Sequence, residues 1–180
     1  SCTTILKTLI VSIPRKFIFS GFCVFEGKKM NLDFEIDNIR FNARASAIIY
    51  NKDKTKVLLF KIVDRDYFML PGGRIEIYED SLNAIKREIK EETGFDLEFE
   101  LCSIQENFLE KDNKKIMQYC FCYKSIYNED IIQETFICKD NKGQIFYWVN
   151  IKDLQNCKLL PNSSYELIKD SRNIKHVIEK

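Results

Sequence analysis

The chain is 180 residues long, 45% hydrophobic and 31% charged. Those figures are those of an ordinary soluble globular protein, and the length suits one domain with an adequate core. Lys and Arg number 28 against 27 Asp and Glu, and the resulting net charge of +1 gives no support to a nucleic-acid-binding surface.

Residues 1–40 are the hardest to read. Ile5 to Phe25 is rich in apolar residues but is broken by Lys7, Pro14, Arg15 and Lys16, which makes it a poor membrane span. No small-x-small cleavage site follows it, so a signal peptide is disfavoured as well. Met30 is followed by a segment that reads as an ordinary cytosolic start. Residues 1–29 are read first as the product of an upstream start, and second as an extra strand or a dimer arm; the dimer arm would go with a homodimer.

The organised part begins at Phe41. Phe41 to Tyr50 is predicted as a strand, with Ala43, Ala45, Ala47 and Ile49 on one side and Arg44 and Ser46 on the other. A polar turn at Asn51-Lys52-Asp53-Lys54 returns the chain as a second strand, Lys56 to Ile62. Tyr67 to Leu70 is expected as a short strand leading into Pro71-Gly72-Gly73, a turn whose glycines let backbone groups approach a ligand closely. Beyond residue 95, strands are expected at Asp96 to Ile104, Lys115 to Tyr127 and Gln144 to Val149. Asn128 to Glu134 reads as a loop, Ile151 to Leu154 as a helical turn and Ser163 to Ile174 as the last helix. Helices interrupting strands in this order suggest a mixed sheet between helices, an α/β fold. The seven cysteines contain no C-x-x-C pair, and Cys120 and Cys122 alternate within an apolar run. They read as buried thiols of a reducing compartment, and the cytoplasm is the expected location. The only histidine, His176, lies near the end, which argues against His-based metal or triad chemistry.

The stretch from Gly73 to Phe95, GRIEIYEDSLNAIKREIKEETGF, carries the chemistry. Asp80 is placed to cap a helix and Gly94 to end it in the left-handed conformation. At 100° per residue, Leu82, Ile85 and Ile89 form an apolar stripe, and Glu88, Glu91 and Glu92 share a neighbouring one. Three carboxylates so close repel each other unless a cation sits among them. An all-oxygen ligand set favours a hard cation, Mg²⁺ or Mn²⁺. A solvated acidic helix face is the plain alternative, and the Gly-Gly turn, the fixed offsets and Arg87 beside the carboxylates weigh against it.

Gly73, five residues, Glu79, seven residues, then Arg87-Glu88-Ile89-Lys90-Glu91-Glu92-Thr93-Gly94-Phe95 resembles the complete Nudix box. Every fixed position is filled, so the match is specific. The resemblance implies an α/β/α sandwich with a mixed sheet, a Nudix domain over residues 41–175, and an N-terminal extension over 1–40. It also implies Mg²⁺- or Mn²⁺-dependent hydrolysis of a small-molecule nucleotide, a nucleoside diphosphate linked to another group such as ADP-ribose or a nucleoside triphosphate. By the same resemblance Glu88, Glu91, Glu92 and the carbonyl of Gly72 are the metal ligands, and Glu88, Glu91 and a loop residue such as Glu106 are all open as the group that activates water. Gly73, Glu79, Arg87 and Gly94 are structural, Glu79 and Arg87 as an ion pair. Arg44, Lys61 and Arg74 are candidates for phosphate, Tyr67, Phe68 and Phe108 for base stacking, and Glu106 for a loop carboxylate near the substrate. Two departures stand out. Gln118 occupies a strand position where some relatives have an acidic residue, and Tyr78 replaces a glycine usual before the box glutamate. A Nudix-fold binding or regulatory protein without catalysis is the alternative, and it would be expected to have lost the helix carboxylates.

Overall fold

The alternation of small and polar residues after Phe41 produces the central strand of the molecule. The computed structural model describes residues 30–111, 113–130, 133–170 and 173–180, and the expectations for 1–29 lie outside that range. Strands β1 (Asp33–Ile36), β2 (Ile39–Asn51), β3 (Lys56–Ile62) and β4 (Gly72–Arg74) precede helix α1 (Ser81–Thr93). They are followed by β5 (Glu100–Lys111), β6 (Lys114–Tyr127), β7 (Thr135–Ile137), β8 (Gln144–Asn150), a 3₁₀ turn at Ile151–Asn156, α2 (Ser164–Lys169) and β9 (Lys175–Glu179). The sheet runs β7-β8-β3-β2-β6-β5-β9, with β1 and β4 both paired to β2. Pairing is parallel for β2 with β6 and β5 with β9, and antiparallel elsewhere, which makes the sheet mixed.

The two faces of β2 build the two cores. Ala43, Ala45, Ala47 and Ile49 pack with Ile85 and Ile89 of α1. Methyl side chains at three alternate positions bring the helix close to the sheet without leaving voids. Ile48 and Tyr50, pointing the other way, pack with Leu154, Leu167 and Ile168 from the 3₁₀ turn and α2. Helices on both faces of a mixed sheet make an α/β/α sandwich.

The sheet is larger than the sequence suggests. Residues 33–36 pair with β2, and Leu32 bonds both Ile75 and Ala43, so the described part of the N-terminal extension belongs to the sheet. Tyr67 to Leu70 makes only isolated bridges, Phe68 with Leu159 and Met69 with Phe60, not a strand. The strand expected at Asp96 to Ile104 begins at Glu100 and runs on to Lys111, which takes Gln105 to Phe108 out of a loop. The last helix stops at Lys169, before the weak helix formers Ser171 and Asn173, and Lys175–Glu179 adds to the edge of β5.

The buried face of α1 also differs from the expected stripe. Ala84, Ile85, Ile89, Glu92 and Thr93 are its buried residues, while Leu82 is 37% exposed. By the 100° rule that face is centred near Ile85, with Glu92 about 20° to one side; Leu82 falls within the same arc, and its exposure comes from its place in the first turn of the helix. One of the three carboxylates is therefore part of the face turned toward the protein.

Candidate active site

The helix that carries the carboxylates is fixed at both ends by the residues expected to do so. Asp80 accepts a hydrogen bond from the Asn83 amide at 2.9 Å, and Gly94 closes the helix at φ 83°. The Gly-Gly turn is equally constrained. Gly72 adopts φ 129°, and a β-carbon there would lie 2.3 Å from the Ala45 carbonyl oxygen. At Gly73 a β-carbon would lie 2.2 Å from the Glu88 carboxyl group, so glycine is what lets the carboxylate reach the turn.

Around this contact the box residues converge. The Gly72 amide donates to Glu92 Oε2 at 3.3 Å, and Arg44 Nη2 donates to the Gly72 carbonyl at 3.1 Å. Arg87 grips Glu79 with two bonds of 2.8 Å, from Nε and Nη2. Its Nη1 donates to Glu88 at 2.7 Å and to Glu91 at 3.3 Å, and Nη2 also reaches the Arg74 carbonyl at 3.1 Å. Tyr78, immediately before Glu79, sits at φ 68° and is fully exposed. That left-handed backbone favours glycine, and the side chain projects into solvent.

Electrostatics separate the three carboxylates. Glu92 is 5% exposed, and burial, followed by the charges of Glu88 and Asp140, pushes its carboxyl up to about 8. Burial also raises Glu88, with Arg87 opposing. Pairing with Glu79 raises the guanidinium of Arg87 above its ordinary value. A buried carboxylate, a partly buried one and the carbonyl of the Gly72 turn form an oxygen donor set suited to Mg²⁺ or Mn²⁺ and unsuited to soft ions. Among the described residues no three acidic, Cys or His groups are gathered in a ready-made ligand sphere. Arg87 bonds Glu88 and Glu91, and Arg44 bonds the Gly72 carbonyl, so two guanidinium groups bring positive charge beside the box carboxylates.

The other expected residues scatter. Arg44 lies at the site, and its charge reaches both Glu88 and Glu92. Arg74 pairs through Nε with Asp33 at 2.8 Å, a carboxylate that Arg40 also holds at 2.6 and 2.8 Å. Lys61 lies 4.4 Å over the Phe68 ring. Glu106 belongs to β5, not a loop, and is bonded to His176 at 2.7 Å. Gln118 takes part in an amide chain across three strands: Asn107 donates to it at 3.2 Å, and it donates to Asn42 at 2.8 Å. That chain shares the sheet face of Arg44.

Sequence reasoning missed Asn42, Asn107 and Asp140. The first two had no local signal, because strand register alone brings them to Gln118. Asp140 accepts the Cys138 thiol at 2.7 Å, and the neighbouring Lys139 amide bonds the Glu92 carbonyl at 2.8 Å. This ties the turn after β7 to the end of α1. A cavity of about 1080 Å³, lined by Tyr50, Phe99, Lys124, Ile126 and Ile168, lies away from the box carboxylates.

Comparison with known proteins gives a consistent assignment. The chain is 42% identical over 69 residues to an RNA pyrophosphohydrolase of Ruthia magnifica subsp. Calyptogena magnifica, a match covering 38% of this chain and 37% of that protein. It is 39% identical over 51 residues to mRNA-decapping enzyme subunit 2 of Saccharomyces cerevisiae (strain YJM789), covering 28% of this chain and 5% of that protein. The chain thus spans well under half the length of these curated relatives. Among solved structures, a MutT protein from Bacillus halodurans superimposes with a TM-score of 0.59 at 20% identity, covering 75% of this chain and 89% of that one. The NUDIX domain of Shewanella oneidensis NrtR, complexed with ADP ribose, gives 0.56 at 18% identity, covering 71% and 84%. At those identities the likeness shows the fold. The NUDIX domain family model matches residues 40–170, which contain the complete box, and the chain belongs to the Nudix family.

Proposed function

We propose that the protein is a divalent-metal-dependent pyrophosphohydrolase that cleaves a phosphoanhydride bond of a nucleotide by water attack on phosphorus. The observation that carries this reading is Glu92. It is a buried carboxylate beside Glu88 and the Gly72 turn, with one long hydrogen bond from the Gly72 amide. Such a group must hold a proton or bear the cost of a buried charge, and a bound cation relieves both. Glu88, Glu92, Glu91 and the Gly72 carbonyl would hold Mg²⁺ or Mn²⁺, which neutralises the diphosphate and acidifies a bound water. Glu88 or Glu91 accepts the proton of the attacking water. Arg44, released from the Gly72 carbonyl, contacts phosphate oxygen. Glu79 and Arg87 hold the loop before α1 against the helix and set where Glu88 points. The Nudix domain would extend over residues 41–175.

The names of both curated relatives point to RNA ends as a substrate class, alongside small nucleotides, which sequence composition alone disfavoured. A panel of ADP-ribose, nucleoside triphosphates and 5′-triphosphorylated RNA, assayed with and without Mg²⁺, tests the proposal. Metal-dependent release of phosphate, pyrophosphate or a nucleoside monophosphate from at least one member is expected. Tight binding without turnover of any member would favour a non-catalytic Nudix-fold protein instead.

A further inference from the structure

The cavity remote from the box carboxylates follows from a mismatch of strand lengths. β5 joins β6 at the pair Glu100–Lys124, whereas β6 runs on to Tyr127 beside β2. Where β5 has not yet begun, the segment 96–99 lies against β6 instead, and the Ser125 hydroxyl donates to the Glu98 carbonyl at 2.7 Å. This segment, β6 and the ends of α2 and the 3₁₀ turn enclose about 1080 Å³. Leu97, Phe99, Ile126, Ile151 and Ile168 give the cavity walls of carbon. Its hydroxyl groups are already engaged, since Tyr50 donates to the Ile168 carbonyl at 2.6 Å as Ser125 does to Glu98. Only the amide of Asn128 is left, among the described uncharged side chains, to hydrogen-bond a polar ring. Walls of this kind suit an aliphatic body better than a nucleobase, whose polar edges would lose water without gaining partners.

Charge decides what the aliphatic body carries. Every carboxylate lining the cavity has a lysine partner: Asp96 has Lys90 at 3.5 Å, Glu98 has Lys86 at 2.7 Å, Glu100 has Lys124 at 3.2 Å and Asp170 has Lys175 at 3.4 Å. Lys54, in the turn after β2, and Lys169, at the end of α2, line the same cavity, and neither forms an ion pair among the described residues. The acidic groups are thus neutralised and two ammonium groups are left over. We propose that this cavity binds an organic anion with an aliphatic body, a fatty carboxylate in chemical class, with its chain against the Ile126 and Ile168 walls and its carboxylate on Lys54 or Lys169. The volume is at the upper limit of the roughly 300–1,000 Å³ typical of small-molecule sites. Burial of the chain supplies the affinity and the lysines select the sign of the head group. The site is separate from the proposed hydrolytic centre, and its assignment does not depend on that one.

The test titrates the full chain with laurate, with dodecyltrimethylammonium, which has a similar tail and the opposite charge, and with AMP. Binding is read by calorimetry and by amide shifts in two-dimensional NMR, not by turnover. Laurate should bind saturably and shift the amides of Phe99, Ile126 and Ile168. Lys54→Glu combined with Lys169→Glu should weaken it at least about tenfold, since both attractions become repulsions. Lys142→Glu with Lys180→Glu changes net charge equally outside the cavity and should leave the affinity unchanged. Dodecyltrimethylammonium and AMP should not move those three amides. Absence of saturable laurate binding, equal binding of the cationic tail, full affinity in the Lys54–Lys169 double variant, equal weakening in the Lys142–Lys180 control, or AMP at the same amides would each overturn the proposal.

Discussion

At the scale of single residues, the account depends on Glu92 and on the Glu79–Arg87 pair. In the metal-free protein the Glu92 carboxyl is raised to about 8 by burial, against an ordinary value of 4.5. Below 4.5 both folded and unfolded states hold the proton. Between 4.5 and 8 the unfolded state loses it while the folded state keeps it, so folding stability falls as pH rises, by at most about 1.4 kcal/mol per pH unit. The metal-free melting temperature should therefore decline from pH 5 to pH 8, and Glu92→Gln should flatten the decline while lowering turnover by orders of magnitude. A steeper decline in Glu92→Gln would contradict this assignment. Arg87 and Glu79 are each less than one-fifth exposed. Removing one partner strands the other, a loss that reaches 3–5 kcal/mol only for a fully buried pair and is expected here at about 1–3. Arg87→Ala and Glu79→Gln combined should cost at least about 1 kcal/mol less than the sum of the single changes. Strict additivity in a melting cycle would assign Arg87 to substrate instead.

At the scale of elements, α1 was legible because its signals are local. Asp80, Gly94 and the apolar spacing act within a few residues of each other, and the helix begins and ends where they fall. Asp80→Ala should cost about 1 kcal/mol through loss of the Asn83 amide bond, read as a lower denaturant midpoint with unchanged slope. Glu92 was read onto a stripe beside the apolar one, although at 100° per residue it lies about 20° from Ile85, and it is buried with that face. Short strands failed for a different reason. Residues 33–36, 135–137 and 175–179 are strands because β2, β8 and β5 offer them unpaired edges, a condition absent from their own sequence. Glu106 moved from a loop to β5 with the same stroke, and with it one candidate carboxylate became a partner of His176.

At the scale of the whole molecule, the α/β/α sandwich places the Gly72–Gly73 turn between β2 and α1, so that backbone and carboxylates meet where neither could alone. No described helix is long and apolar enough to cross a membrane. The box made the family legible from sequence. The tie of Asp140's turn to α1 and the amide chain through Gln118 needed the register of distant strands. The central claim is that box carboxylates and a divalent cation together hydrolyse a phosphoanhydride bond. Its most direct test is turnover of the best substrate in excess EDTA, then after Mg²⁺ is restored, in the wild-type protein and in Glu92→Gln. Activity should vanish with chelator and return with Mg²⁺ in the wild type, and should stay orders of magnitude lower in Glu92→Gln at every Mg²⁺ concentration. Undiminished turnover in EDTA, or a fully active Glu92→Gln, would contradict the account.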